Sequence, residues 1–172
     1  QPHYNLIDRQ DYDGPLRDLA LQENLAVVPY FSLASGFLTG KYRSAADLAG
    51  SARERWVKNY LNPRGLRVLA ALDDVAAQHR AQPGEVALAW LMARPGVTAP
   101  IASATSVAQL ESLIRATQLT LSADDIAVLD TASAPEALLV IFYGTVVVLP
   151  VIIGYTVFAY RVFWGKSTAL KY

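Results

Sequence analysis

Along the first two-thirds of the chain, short unbroken apolar runs alternate with stretches in which apolar residues recur every three or four positions. Residues 1–7 read as a short strand carrying Tyr4 and Leu6, and residues 8–14 as a polar turn. Pro15 suits a first helical position, and the helix it opens carries Leu16, Leu19 and Ala20 to Glu23, where Asn24 ends it. A buried strand with Val27 and Val28 follows. Residues 42–65 lack periodicity, are rich in Arg, Ser and Ala, and read as a long irregular segment that folds over a ligand as a flap. Residues 65–80 read as a helix with Leu66, Leu69, Leu72, Val75 and Ala76 on its apolar face. Pro83-Gly84 breaks the pattern before residues 85–94, a helix so apolar that it must be mostly buried. After Pro95-Gly96, residues 97–102 read as a strand and residues 103–106 as a turn. Ser106 with Gln109, and Ser122 with Asp125, have the spacing of capping boxes for two further helices, the second carrying Ile126 and Leu129. Strands alternating with helices predict parallel βαβ units, an α/β class.

The pattern changes near residue 134. Residues 137–160 hold no charge. A helix over them spans roughly 36 Å at roughly 1.5 Å per residue, enough to cross a bilayer core. Gly144, Pro150 and Gly154 are tolerated in such helices, and Tyr143, Tyr155, Tyr160, Phe163 and Trp164 supply candidates for the interfacial belt. A buried core helix is the competing reading, but such helices rarely run this long without a polar face. A signal peptide is excluded by position. Two domains are expected, residues 1–134 and a membrane-associated tail, residues 135–172.

Composition narrows the chemistry. The 172 residues carry 15 basic and 15 acidic side chains, so no nucleic-acid partner is expected. The absence of cysteine excludes disulfides and thiolate sites, and His3 and His79 lack carboxylates at ligand spacing, so no metal is expected. Gln1 sits directly against a strand-like run, which reads as a chain cut from something longer.

Two strand ends open into small polar turns. After Val27, Val28 and Tyr30 come Ser32, Ser35, Gly36, Thr39 and Gly40, closed by Lys41. Glycines admit a ligand close to the backbone, and hydroxyls, N–H groups and a cation suit a phosphate. Ser103, Thr105 and Ser106 form the second turn, against a helix N-terminus. In a parallel barrel such neighbouring loops make a phosphate site. A plain structural loop and a plain helix cap account for the same residues taken singly.

The stretches QPHYNLIDR, VVPYFSLASGFLTGKY, EVALAWLMARPGV, PIASATSVAQL and LSADDIAVLDTAS resemble the carboxyl-terminal part of an aldo-keto reductase, over residues 1–133. The resemblance implies the last three strands, with their helices, of a (β/α)8 TIM barrel, NADP(H) as cofactor and a small carbonyl compound as substrate. It implies that Gln1 holds the nicotinamide carboxamide and Tyr30 stacks on the nicotinamide ring. Ser32, Leu33, Gly36 and Lys41 fall in the segment around the pyrophosphate, and Ser103, Thr105 and Gln109 at the adenosine end with its 2′-phosphate. Phe31 stands where many members have serine, Ser32 where they have proline, and Ser112 and Leu113 replace a Glu-Asn pair that often contacts adenine. The family's catalytic Asp, Tyr, Lys and His belong to the first half of the barrel, so no catalytic residue is assigned here.

The tail sequence LPVIIGYTVFAYRVFWGK resembles the last transmembrane helix of subunit II of cytochrome bd ubiquinol oxidase, which implies a haem-bearing oxidase subunit as partner. Arg161, Lys166 and Lys171 follow the span and acidic residues precede it, so the charge pattern puts the carboxyl terminus in the cytoplasm. NADP(H) use implies instead that the reductase-like part is cytoplasmic, and the two expectations conflict. Three readings stand: a part of an NADP(H)-dependent carbonyl oxidoreductase, a membrane subunit fragment of the oxidase, and a non-functional chimera of the two.

Overall fold

The computed structural model describes residues 1–163. The chain divides into two compact units, Gln1–Ser133 and Ala134–Tyr172, and each is described by itself. In the first, three segments run parallel, with residues 26–30 between residues 1–4 and 97–102. Tyr30 N donates to the Pro2 carbonyl at 3.0 Å, and Thr98 N and Ile101 N donate to the Val27 and Pro29 carbonyls, both at 2.8 Å. Among the described residues these segments form isolated bridges, His3 with Tyr30 and Val27 with Val97, in place of the continuous strands expected. Prolines explain the gap. Pro2, Pro29 and Pro100 each remove an N–H donor, and the Val27 N–H goes to the Thr98 side-chain oxygen at 3.1 Å. Val27 and Pro29 are buried while Ala26 and Tyr30 are exposed, so one face of the central segment is covered and the other open.

Helix α1 (Pro15–Gln22) starts on Pro15, and Asn24 stops it in the left-handed region at φ 50°. Ala20 is its buried residue, whereas Leu16 and Leu19, expected inside, are about half exposed. Ahead of the next long helices, residues 42–62 are not irregular. They fold into short helical pieces, Ala45–Leu48, Glu54–Val57 (α2) and Lys58–Tyr60, anchored by buried Tyr42, Leu48 and Val57. A fork of hydrogen bonds from Arg43 to Asp73, 2.7 and 2.8 Å, ties this stretch to α3 (Pro63–His79).

Helix α3 begins two residues before its apolar period because the Asn62 side chain caps it, accepting from Gly65 N at 2.9 Å, with Pro63 at the first turn. Val68, Leu69, Leu72, Val75 and Ala76 are buried on α3, but Leu66 faces outward. Gly65 lies so close to the Tyr60 carbonyl that a Cβ there would collide with it. Helix α4 (Pro83–Met92) is buried from Glu85 to Leu91, as its composition requires. Trp90 Nε1 donates to Asp130 at 3.0 Å, and the same carboxylate accepts from Arg9 at 2.8 Å and Arg94 at 3.1 Å, both guanidiniums lying over the Trp90 ring. This cluster joins α4 to α6 (Ala123–Ser133) and to the turn after the first segment. At the start of α6 the Ser122–Asp125 box forms in both directions, and His79 adds a 2.9 Å bond to Asp125.

In the second unit, α7 (Glu136–Phe163) is a 28-residue helix with Pro150 inside it. Its stretch Gly144–Arg161 has a mean hydropathy of 1.5 and no buried residues, so by length and composition it is able to cross a membrane. Tyr155 and Tyr160 are exposed. The expected belt side chains Tyr143 and Phe163, and Trp164, Lys166 and Lys171, lie outside the described residues.

Glu85 holds α4 to α5 (Val107–Gln118): its carboxylate accepts from Gln82 N at 3.1 Å, Ser112 Oγ at 2.8 Å and Arg115 Nε at 3.0 Å. Burial opposes its ionisation, and the bonds from Ser112, Gln82 and Arg115 outweigh that, holding the carboxyl below the usual carboxylate range. A depressed folded-state value contributes stability fully present above the ordinary glutamate value of about 4.3, and lost as pH falls through the folded-state value. The urea midpoint of Glu85→Gln should therefore fall less steeply than that of the natural chain between roughly pH 5 and pH 3. Parallel acid profiles would contradict this account of the α4–α5 contact.

Candidate functional site

Because residues 26–30 are paired on both sides, the loop that leaves their end lies beside the end of residues 97–102. The loop runs through an unusual backbone. Phe31, Ala34 and Ser35 have φ of 55°, 48° and 58°, and Gly36 and Gly40 of 93° and 78°. Left-handed residues that are not glycine cost free energy and are kept only where surroundings hold them. Asn5, fully buried, holds the first of them. Its Nδ2 donates to the Phe31 carbonyl at 3.1 Å and to Asp8 at 2.9 Å, while its Oδ1 accepts from Ile7 N and Asp8 N. In the sequence the one signal of this role is a polar residue, Asn5, set between Tyr4 and Leu6 in an apolar run.

A cleft of about 610 Å³ opens between this loop and the start of α5. Ser32, Leu33, Gly36 and Lys41 line one side, and Ser103, Thr105 and Gln109 the other. Gln1 and Tyr30 are not in its wall. Tyr30 is 39% exposed, packed between His3 (ring centroids 5.4 Å) and Phe31 (5.2 Å), and Phe31 itself lines the cleft. The parallel register that pairs His3 with Tyr30 sets Gln1 level with Val28, so Gln1 and Tyr30 share the open face next to the cleft.

The floor of the cleft is cationic at one end. A Cβ placed on Gly36 would stand 3.3 Å from Lys41 Cε and 3.4 Å from Arg53 Nη1, so both side chains converge where glycine leaves room. Arg53 Nη1 also donates to the Ser35 carbonyl at 3.2 Å, and the Lys41 ammonium lies 4.7 Å from the centre of the Tyr42 ring. A hydrogen bond with Ser51 holds the Tyr42 phenol below its ordinary range, with Lys41 and Arg53 adding to the effect. Arg53 and Trp56 enter the wall from residues 42–62 and were not singled out as site residues; only the reading of that stretch as a flap pointed toward them. Lys41 and Arg53 are the ionisable side chains of the wall among the described residues.

Hydroxyls at the two turns are partly engaged. Ser32 Oγ, buried, donates to the Pro29 carbonyl at 3.3 Å, and Thr39 Oγ1 to the Gly36 carbonyl at 2.7 Å. Ser106 caps α5, accepting from Gln109 N at 3.3 Å. The expected return bond is redirected: Gln109 Oε1 accepts from Thr105 N at 2.8 Å and Thr105 Oγ1 at 3.1 Å, not from Ser106 N. The turn is therefore braced by its own helix, one residue earlier than a regular box.

The chain is 39% identical over 134 residues to an uncharacterized oxidoreductase of Mycobacterium tuberculosis, covering 72% of this chain and 38% of that protein. It is 30% identical over 129 residues to Protein tas of Escherichia coli, covering 74% and 37%. The fold is similar to that of a thermostable aldo-keto reductase solved with the inhibitor epalrestat, with a TM-score of 0.54, 23% identity and coverage of 76% of this chain and 38% of that one. The chain thus spans well under half the length of the curated relatives it matches. The three parallel segments and their helices correspond to part of a barrel of the TIM type. The model of the aldo/keto reductase family matches residues 1–134, so the chain belongs to that family.

Proposed function

We propose that the first unit is the dinucleotide-binding part of an oxidoreductase that interconverts carbonyl and alcohol groups, with NADP(H) as its cofactor. The convergence of Lys41 and Arg53 on Gly36, in a cleft completed by the start of α5, carries this reading. The volume of about 610 Å³ lies within the range of cofactor sites. In this reading Lys41 and Arg53 neutralise the diphosphate, and Gly36 lets it approach the backbone. Ser103, Thr105 and Gln109 meet the adenosine end, while Tyr30 and Gln1 face the nicotinamide from the open side. When bound, the cofactor supplies or accepts a hydride at a small carbonyl or alcohol substrate. The chain's own part is to bind and orient it. No side chain of the cleft is assigned as proton donor, so turnover requires residues beyond those in its wall.

A separate observation favours a membrane location. The window Gly144–Arg161 is apolar and has no buried residue, which supports residues 137–160 as an anchor. The likeness of the tail to an oxidase subunit, and a haem-bearing partner with it, rests on the tail sequence alone. The full-length chain should stay with membranes through alkaline carbonate washing, and removal of residues 135–172 should release it. Equal release of both forms would remove the anchor.

NADPH should bind the full-length chain in detergent, followed by the change in its own fluorescence. Lys41→Ala and Arg53→Ala should each weaken binding roughly tenfold, since each removes one charge-assisted contact. Saturable binding unchanged in both variants would sink the assignment of the diphosphate.

A further inference from the structure

Among the described residues, positive charge in the cleft is confined to the Gly36 end. The opposite wall consists of Ser103, Thr105, Gln109, Ser112 and Leu113, none of them charged. Arg115, the basic residue of α5, is turned to Glu85, with its Nη2 2.8 Å and its Nε 3.0 Å from the carboxylate. Glu85 is 3% exposed, so releasing Arg115 would leave a buried carboxylate short of a partner. Both Thr105 donors go to Gln109 Oε1, and Gln109 N goes to Ser106 Oγ. Among the described residues, a second anionic group at that wall therefore meets no cation.

With its diphosphate at Lys41 and Arg53 and its nicotinamide toward Tyr30, a dinucleotide places its adenosine against α5. The 2′ position of that adenosine is where the phosphorylated and unphosphorylated cofactors differ. We infer that this cleft does not select for the 2′-phosphate and binds NAD(H) about as well as NADP(H). The inference rests on the dinucleotide reading given above. The extra phosphate gains no ion pair here, while it gives up part of its hydration on entering the cleft.

The test is titration of the full-length chain in detergent with NADH and with NADPH, read by dinucleotide fluorescence. The two dissociation constants should agree within roughly threefold. Thr105→Arg sets a cation at the neutral wall and should shift the ratio toward NADPH by roughly tenfold or more. A natural chain that prefers NADPH by more than roughly threefold overturns the inference and leaves the dinucleotide reading standing. Binding of neither dinucleotide overturns that reading and the inference with it. A ratio unmoved by Thr105→Arg overturns the placement of the adenosine against α5.

Discussion

Pairing of residues 26–30 on both flanks is the constraint from which the cleft follows. A few backbone hydrogen bonds, from Tyr30 on one side and from Thr98 and Ile101 on the other, set the ends of two neighbouring segments side by side. Parallel segments point their carboxyl ends the same way, so the loops that leave them meet. Prolines at positions 2, 29 and 100 keep these ladders short. The helices and their polar contacts then carry much of the cohesion. Trp90, Asp130, Arg9 and Arg94 bind α4 to α6, and Glu85, Ser112 and Arg115 bind α4 to α5. Apolar burial between α3, α4 and α6 supplies the bulk term.

The cleft divides the ligand's recognition between rigid and adjustable parts. Asn5 fixes the start of the loop by holding the Phe31 carbonyl, and Gly36 opens the space that Lys41 and Arg53 fill. Arg53 arrives from a different stretch of chain, whose position depends on buried Leu48 and Val57 and on the Arg43–Asp73 pair. Residues 42–62 thus have two tasks: they hold to α3 through Arg43 and Asp73, and they deliver one of the two cations. The α5 wall, by contrast, has the backbone donors of Thr105 and Gln109 engaged within its own first turn.

Much of the helical framework was legible because periodicity and punctuation agreed. Pro15, Asn24, Ser106 and Ser122 mark boundaries close to where they occur, and the apolar run of α4 is buried as it reads. Leu16, Leu19 and Leu66 were misplaced because an apolar stripe states a preference for cover without naming what covers it. The start of α3 was hidden in a polar stretch, where Asn62-Pro63 resembles a turn as much as a cap. Strand continuity was overestimated, since a proline's missing donor matters only once the pairing partner is known. Both cleft-lining turns were visible as hydroxyl and glycine clusters after apolar runs. Arg53 and Trp56 were not, because tertiary folding of residues 42–62 brings them to the wall.

The central claim is that two loops from neighbouring segment ends grip one dinucleotide. Hydrogen–deuterium exchange of the full-length chain, with and without saturating NADPH, tests it most directly. The account predicts slowed exchange in residues 31–41 and in residues 101–109 together, with α6 unchanged. Slowing in one loop alone, or in neither, would contradict it.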